Sequence, residues 1–141
     1  MEKVLDYIRQ NNLINEDEII GVAVSGGRDS MALLHFLHEH ADELGCRVVA
    51  INVDHCLREN STREAMFVKD YCNEQHIHVY NFKVDVNKLA RERKMGIEEA
   101  AREARYGIFA SLLKKGLADK IALGHHISDQ VETVQIGRAH V

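Results

Sequence analysis

The chain has 141 residues, of which 45% are hydrophobic and 28% charged, and its formal net charge is −4. This length and composition suit one globular domain, and no apolar run is long enough to cross a bilayer. We therefore expect a cytoplasmic protein that is not embedded in a membrane. The negative charge alone does not indicate a nucleic-acid binder, although residues 83–120 carry 10 lysines and arginines against 6 acidic residues.

Short apolar runs alternate along the chain with segments of helical periodicity. Four short apolar segments are predicted to be strands, at 19–24, 47–53, 77–84 and 120–123. Helices are predicted at 29–44, 61–74, 86–94 and 98–115, and a further helix from Ser128 onward. Apolar strands that alternate with helices indicate an α/β fold, a Rossmann-like parallel sheet with helices on both faces.

The first predicted strand leads directly into Ser25-Gly26-Gly27-Arg28-Asp29-Ser30, which we name the phosphate loop. Glycine permits a close backbone approach, and the start of a helix offers free N–H groups and the positive end of a dipole. Such a turn suits a phosphate group. Ser25 and Ser30 can donate hydroxyl hydrogen bonds, Arg28 adds a positive charge, and Asp29 is the candidate Mg²⁺ ligand. The Walker pattern and G-x-G-x-x-G are both absent from the chain.

A strand followed by S-G-G-x-D-S and a helix resembles the PP-loop ATP pyrophosphatase group, in which this loop grips the pyrophosphate released from ATP. Three later segments sharpen the resemblance: V-D-H-C-L-R at 53–58, E-x-x-A-R-x-x-R-Y at 98–106 and G-H-H-I-S-D-Q-V-E-T at 124–133. Together, over about residues 19–135, they resemble the N-terminal domain of tRNA(Ile)-lysidine synthetases. Cys56 stands where that family usually has glycine, and Ser128 where it usually has the first of two aspartates.

The resemblance implies a ligase that uses ATP and Mg²⁺ to attach free L-lysine to the wobble cytidine of tRNA(Ile) with a CAU anticodon. ATP would adenylate the C2 oxygen of the cytidine, and the lysine ε-amine would then displace AMP. The ends of the first two strands would flank the adenosine. Catalytic roles are implied for Asp29, Arg105, His126, Asp129 and Glu132. Arg105 would stabilise charge at the α-phosphate, while Asp129 and Glu132, at i and i+3, could bind the lysine ammonium, hold Mg²⁺ or accept a proton.

The last six residues, 136–141, read I-G-R-A-H-V, which is the translation of a DNA string used as a sequencing adapter. We expect these residues to be read-through rather than native, and residues 1–135 to be a partial PP-loop domain whose sheet is incomplete at its C-terminal side. The 141-residue chain is then expected to be inactive as a ligase by itself. A homodimer is compatible with this interpretation.

Two other functions stay open at this point. A PP-loop tRNA cytidine thiolase would share the phosphate loop, but it needs clustered cysteines for an iron–sulfur centre. Cys46, Cys56 and Cys72 are widely spaced and form no C-x-x-C pair. A non-catalytic adenine-nucleotide-binding module on the same fold would bind ATP without any turnover that depends on lysine or tRNA.

Overall fold

Five strands of the computed structural model form one sheet: β1 (Ile19–Val24), β2 (Arg47–Asp54), β3 (His78–Lys83), β4 (Lys120–Gly124) and β5 (Val134–Gly137). Their order in the sheet is β3-β2-β1-β4-β5. The first four strands are parallel and confirm the predicted sheet, whereas β5 pairs with β4 in the antiparallel sense and was not predicted. The structure describes residues 2–25, 27–57, 61–124 and 134–137.

Six helices are described: α1 (Glu2–Gln10), α2 (Arg28–Glu39), α3 (Ala41–Leu44), α4 (Ser61–Gln75), α5 (Val86–Arg93) and α6 (Ile97–Lys114). The helix predicted at 29–44 is divided between α2 and α3 at His40, and Gly45 ends it in the left-handed conformation, at φ 71°. α1 was not predicted. The helix predicted from Ser128 begins outside the described residues. No helix in the described ranges is long and apolar enough to cross a membrane.

Both faces of the sheet are covered, as the uniformly apolar strands predict. Alternate residues of a strand point to opposite faces. Ile20 and Val22 of β1 belong to the main core, which includes buried side chains of α1, α2 and α4. Ala23 and Ile51 belong to a second core built around Phe109 of α6. β1, β2 and the centre of β4 are therefore buried, which explains why their sequences do not alternate between apolar and polar residues. β3 lies at the sheet edge and none of its residues, all of them described, is fully buried, so the prediction of a uniformly apolar strand is wrong for it.

The strand order reverses direction at β1. The chain moves from β1 to β2 and β3 on one side, and β4 lies on the other side of β1. In open parallel sheets, ligands bind at such a reversal, outside the carboxyl ends of the strands. The carboxyl end of β1 is Val24, and the phosphate loop begins with the next residue.

β5 contains Ile136 and Gly137, two of the residues that the sequence predicts to be read-through. Pairing with an exposed strand edge requires little more than a short extended segment, because the backbone supplies the hydrogen bonds. The origin of these residues stays a prediction, which resequencing of the gene tests. A native reading frame that continues through the same six codons would contradict it.

Candidate nucleotide-binding site

The phosphate loop is braced by its own two serines. The backbone N–H of Ser25 donates to Ser30 Oγ at 3.1 Å, and the Ser30 hydroxyl donates to the Gly27 carbonyl at 3.3 Å. The Gly27 N–H donates to Ser25 Oγ at 3.3 Å. Ser30 is buried in the first turn of α2. In this conformation its hydroxyl proton is used inside the loop, so Ser30 shapes the loop as well as lining the site.

Gly27 is the residue before the first turn of α2, and it provides no side-chain cap. Its φ of −74° and ψ of 159° are open to any residue, so a positive φ is not the reason for glycine here. A Cβ at this position would lie 3.3 Å from Ser25 Oγ, which is a tight contact. Close packing of the loop therefore favours glycine. The uncapped first-turn N–H groups and the helix dipole suit an anion.

The remaining described residues of the loop, Arg28 and Asp29, differ in their exposure to solvent. Arg28 is exposed at the first position of α2, where a mobile guanidinium could meet a phosphate. Asp29 is half-buried in the same turn, as a carboxylate near the helix start. Gly26 lies outside the described residues.

A cavity of about 230 Å³ opens beside the phosphate loop at the carboxyl ends of β1, β2 and β4. Apolar side chains of these strands and of α6 form most of its walls: Ala23, Val24, Ile51, Val53, Phe109 and Leu123. Ser25, Ser30, His55 and Arg105 supply polar groups around it. Apolar walls with a few polar groups at fixed places are typical of small-ligand sites. A ligand in this cavity would lie directly beside the phosphate loop, because Ser25 and Ser30 line it.

Arg105 reaches this cavity from α6, some 80 residues after the loop. Its guanidinium carbon lies 5.8 Å from the centroid of the Tyr106 ring, which also lines the cavity. Tyr106 in turn packs edge to face on Phe109, with ring centroids 5.8 Å apart. These ring contacts restrict the part of α6 that carries Arg105. The fold thus brings together Arg105 and the phosphate loop. Both were predicted from the sequence to act in the same reaction.

His55 was not among the predicted site residues, although the sequence placed it at the end of a strand that would flank the adenosine. The residue lines the cavity, and its Nε2 is buried without a hydrogen-bond partner among the described residues. Burial is the main cause that lowers the pKa of His55, the Arg105 charge lowers it further, and Asp54 acts in the opposite sense. Its imidazole is neutral at pH 7 and can hydrogen-bond a ligand. Its place directly after a buried strand was the available sequence signal.

The remaining predicted residues, His126, Asp129 and Glu132, lie outside the described residues, and their roles stay predictions. Gly124, the last residue of β4, lines the cavity. The G-H-H-I-S-D-Q-V-E-T segment therefore starts at the cavity.

The cysteines are distributed between the core and a turn. Cys46 and Cys72 are buried in the main core. Burial raises the pKa of the Cys46 thiol, and it raises that of Cys72 to about 11. Both thiols are therefore protonated at neutral pH, which is unfavourable for binding iron or zinc. Cys56 lies after β2 with a φ of 57°, in the left-handed region that glycine adopts readily. This backbone explains why related sequences would have glycine there.

A parallel sheet with a phosphate loop after its first strand, and a nucleoside-sized cavity at the strand reversal, defines a nucleotide-binding α/β domain. Residues 2–138 match the model of the PP-loop domain, a family whose model is named for ATP binding. The chain belongs to this family.

The chain is similar to proteins named tRNA(Ile)-lysidine synthase. It is 42% identical to that of Clostridium tetani over 132 residues, or 93% of this chain and 28% of the relative. It is also 42% identical to that of Geobacillus kaustophilus over 135 residues, or 95% of this chain and 29% of the relative. The chain thus spans less than a third of the length of these relatives.

A solved structure shares the fold. The U34-tRNA thiolase NcsA from Methanococcus maripaludis, with its [4Fe-4S] cluster, superposes with a TM-score of 0.72. The match covers 91% of this chain and 45% of the thiolase, at 18% sequence identity. Identity at this level supports a common fold and says nothing about a common reaction.

Proposed function

We propose that this protein is a tRNA(Ile)-lysidine synthase, which joins free L-lysine to C2 of the wobble cytidine in tRNA(Ile) with a CAU anticodon. The observation that carries the proposal is the cavity that brings Arg105 beside the phosphate loop. The similarity to lysidine synthases at 42% identity favours this reaction over the others that a PP-loop domain could serve. We further propose that the protein acts in the cytoplasm, where it would meet tRNA(Ile) and free lysine, and that it can form a homodimer.

ATP is proposed to bind with its adenosine in the apolar cavity and its phosphates on the loop. Ala23, Ile51 and Val53 would contact the base and ribose, because these side chains line the cavity at the strand ends. The first-turn N–H groups of α2 would hold the β- and γ-phosphates. Asp29 would hold Mg²⁺, which neutralises phosphate charge and orients the leaving pyrophosphate.

In the first step, the C2 oxygen of the cytidine attacks the α-phosphorus of ATP, and the bond to pyrophosphate breaks. Negative charge increases on the α-phosphate oxygens as this happens. Arg105 is proposed to stabilise that charge, since it lines the cavity and carries a guanidinium group. The loop would retain the pyrophosphate as it leaves.

In the second step, the ε-amine of lysine attacks C2, and AMP leaves with the oxygen that was adenylated. The amine must lose protons during the attack. Asp129 and Glu132 are proposed to bind the lysine ammonium and to accept a proton, and His126 to contact the substrate at the end of β4. These three roles rest on the resemblance of the 124–133 segment.

The experiment supplies the full-length gene product with ATP, labelled L-lysine and a tRNA(Ile) transcript with a CAU anticodon. We expect one lysine per tRNA, and none in a methionine tRNA that has the same anticodon. Arg105→Met should abolish incorporation. Arg102→Met is the matched control, because Arg102 is exposed on the same helix and does not line the cavity. If the folded enzyme incorporates no lysine, the proposal is contradicted. The 141-residue chain alone is expected to incorporate none.

A further inference from the structure

A second cavity, of about 140 Å³, lies between the end of β2 and the first half of α4. It shares Ser25, Val53 and His55 with the nucleotide cavity, and its other lining residues are Asn52, Asp54, Leu57, Glu64 and Ala65. The cavity therefore adjoins the first residue of the phosphate loop but faces different side chains. The proposed lysidine chemistry assigns it no role.

Asn52 is the most unusual residue of this cavity. Its side chain is in a strand interior and is only 3% exposed. The Nδ2 group donates to the Val24 carbonyl at 2.9 Å, which fixes the orientation of the amide. The Oδ1 atom is buried and has no hydrogen-bond partner within the described part of the chain. A buried acceptor without a partner has lost its hydration without compensation, so a ligand that brings a donor would remove that penalty.

The charges around Asn52 Oδ1 are negative. Asp54 is 8% exposed, and only its Oδ1 has a described partner, the Cys56 N–H at 2.9 Å. That contact forms the turn after β2, and it leaves most lone pairs of the carboxylate available. Glu64 reaches the same cavity from α4. Of the described residues that line the cavity none is lysine or arginine, and His55 is neutral.

A neighbouring cavity of about 280 Å³ also borders Asn52 and Asp54, on the β3 side, and is lined by Lys69 and Lys83. Neither lysine forms a hydrogen bond or an ion pair with Asn52 or Asp54, all four being described residues. Lys69 and Lys83 therefore do not satisfy Asn52 Oδ1 or the Asp54 carboxylate. In the described ranges, no three His, Cys, Asp or Glu side chains lie close enough to coordinate a metal ion directly.

From these observations we propose that the cavity at Asn52, Asp54 and Glu64 binds a cation that carries its own hydrogen-bond donors. Two sources share this chemistry, a hydrated divalent metal ion and a primary ammonium group. The donors of the cation bond Asn52 Oδ1 and the Asp54 carboxylate, whose charge balances that of the cation, and Glu64 lines the α4 side of the cavity. Since Ser25 lines both cavities, the cation lies beside the phosphate loop. The proposal goes beyond the lysidine reaction, and its test needs neither ATP nor tRNA.

The test uses the 141-residue chain with the change Asp29→Asn, which removes the Mg²⁺ ligand proposed for the phosphate loop. Three probes are added separately to the ¹⁵N-labelled protein: MnCl₂, n-butylammonium and tetramethylammonium, which has the charge but no donor protons. The signals followed are the Cys56 amide and the Asn52 side-chain NH₂ group. Broadening by Mn²⁺ alone identifies a hydrated metal ion, and a shift with butylammonium alone identifies an amine. Effects of both probes indicate a site that accepts either.

Two variants show whether the effect belongs to this cavity. Asp54→Asn keeps an oxygen for the Cys56 N–H but removes the charge, and should weaken binding at least tenfold. Glu64→Gln should weaken it as well, and it decides the matter if Asp54→Asn does not fold. Asp42→Asn, at an exposed acid of α3, is the control that should change nothing. The proposal is overturned if neither donor-bearing probe acts, if tetramethylammonium acts equally, or if the folded cavity variants bind like the parent chain.

Discussion

Ser30 Oγ lies 3.1 Å from the backbone nitrogen of Ser25, so a side chain in the first turn of α2 fixes the point at which β1 ends. The same hydroxyl donates to the Gly27 carbonyl at 3.3 Å. One side chain therefore holds both sides of the phosphate loop. A loop fixed in this way has little conformational freedom left to lose when a phosphate binds, which favours affinity.

Ser30→Ala should weaken both ATP binding and the fold. Without the hydroxyl, the loop would lose the hydrogen bonds of Ser30 with the Ser25 N–H, Ser25 Oγ and the Gly27 carbonyl, and water would replace part of their contribution of about 1 kcal/mol each. We expect a roughly five- to tenfold rise in the Kd for ATP, measured by calorimetry, and a fall of about 1 kcal/mol in the free energy of unfolding. Ser111→Ala, at an exposed position of α6, is the matched control and should change neither value. Equal ATP affinities in parent and Ser30→Ala would show that the hydroxyl does not organise the loop.

Protonation of His55 should be coupled to stability. Its pKa in the folded chain is below the ordinary value of about 6.5, so the unfolded chain binds the proton first as the pH falls. The contribution of the neutral His55 imidazole to the free energy of unfolding is fully present above pH about 6.5. It is lost as the pH falls from there toward the pKa of His55 in the folded chain. Urea unfolding at pH 7 and 5.5 should show a smaller loss of stability in His55→Gln than in the parent.

The neighbouring charge gives a second test of the same site. Arg105→Met should raise the pKa of His55, since the Arg105 charge is the second of the two causes that lower it. The rise will be partial, because burial is the larger cause and remains. A proton NMR titration of the imidazole, assigned with His55→Gln, measures it. An unchanged titration would mean that Arg105 is farther from His55 in solution than the structure places it.

Cys56→Gly should stabilise the chain. A left-handed conformation costs a non-glycine residue about 1–2 kcal/mol, and glycine's greater freedom when unfolded offsets part of the gain. We therefore expect a net gain of about 1 kcal/mol in the free energy of unfolding by urea. Cys56→Ala removes the thiol but keeps Cβ, so it should give no such gain. Equal stabilisation by both substitutions would assign the effect to the thiol and not to the φ of 57°.

Lys120 joins β4 to the segment before β1. Its Nζ lies 3.0 Å from Glu18 Oε1 and donates to the Leu13 carbonyl at 2.7 Å, and both side chains of the ion pair are about 85% buried, with 15% and 16% exposed. Lys120→Met should lower the free energy of unfolding by about 2 kcal/mol, because it leaves a largely buried carboxylate without its cation and with only the Asn15 N–H as a donor among the described residues. The exposed pair Lys88–Glu92 is the comparison, and Lys88→Met should change stability by less than about 0.5 kcal/mol. If Lys120→Met and Lys88→Met lower the free energy of unfolding by similar amounts, burial does not make the Lys120–Glu18 pair the stronger one.

Local signals in the sequence were sufficient for much of the fold. The strand that ends at Val24, the glycines that follow and the helix after them lie next to one another in the chain, so the phosphate loop could be predicted. Three of the parallel strands followed from apolar runs, and β3, whose polar residues are exposed, followed from Val79, Tyr80 and Phe82. The break at His40 could not be predicted, because no glycine or proline marks it. The pairing of β5 with β4 depends on contacts between distant parts of the sequence, which no local pattern contains.

The site was predictable only where a motif carried it. Arg105 was found from the E-x-x-A-R-x-x-R-Y segment, and the structure places it at the nucleotide cavity. Asn52 was missed because it lies within an apolar run, where a single polar residue has no distinguishing pattern. Only the register of the sheet, which pairs Val24 with Asn52, shows what its amide contacts. The cavity at Asn52, Asp54 and Glu64 can therefore be recognised in the folded chain but not in the sequence.

ATP–pyrophosphate exchange by the full-length gene product tests the central claim most directly, because only reversible adenylation returns labelled pyrophosphate to ATP. We predict exchange that requires tRNA(Ile) with a CAU anticodon, that proceeds without lysine, and that falls sharply in Arg105→Met. Exchange that is indifferent to this tRNA would contradict the assignment to lysidine formation. ATP binding with no exchange under any of these conditions would instead indicate a nucleotide-binding module without catalysis.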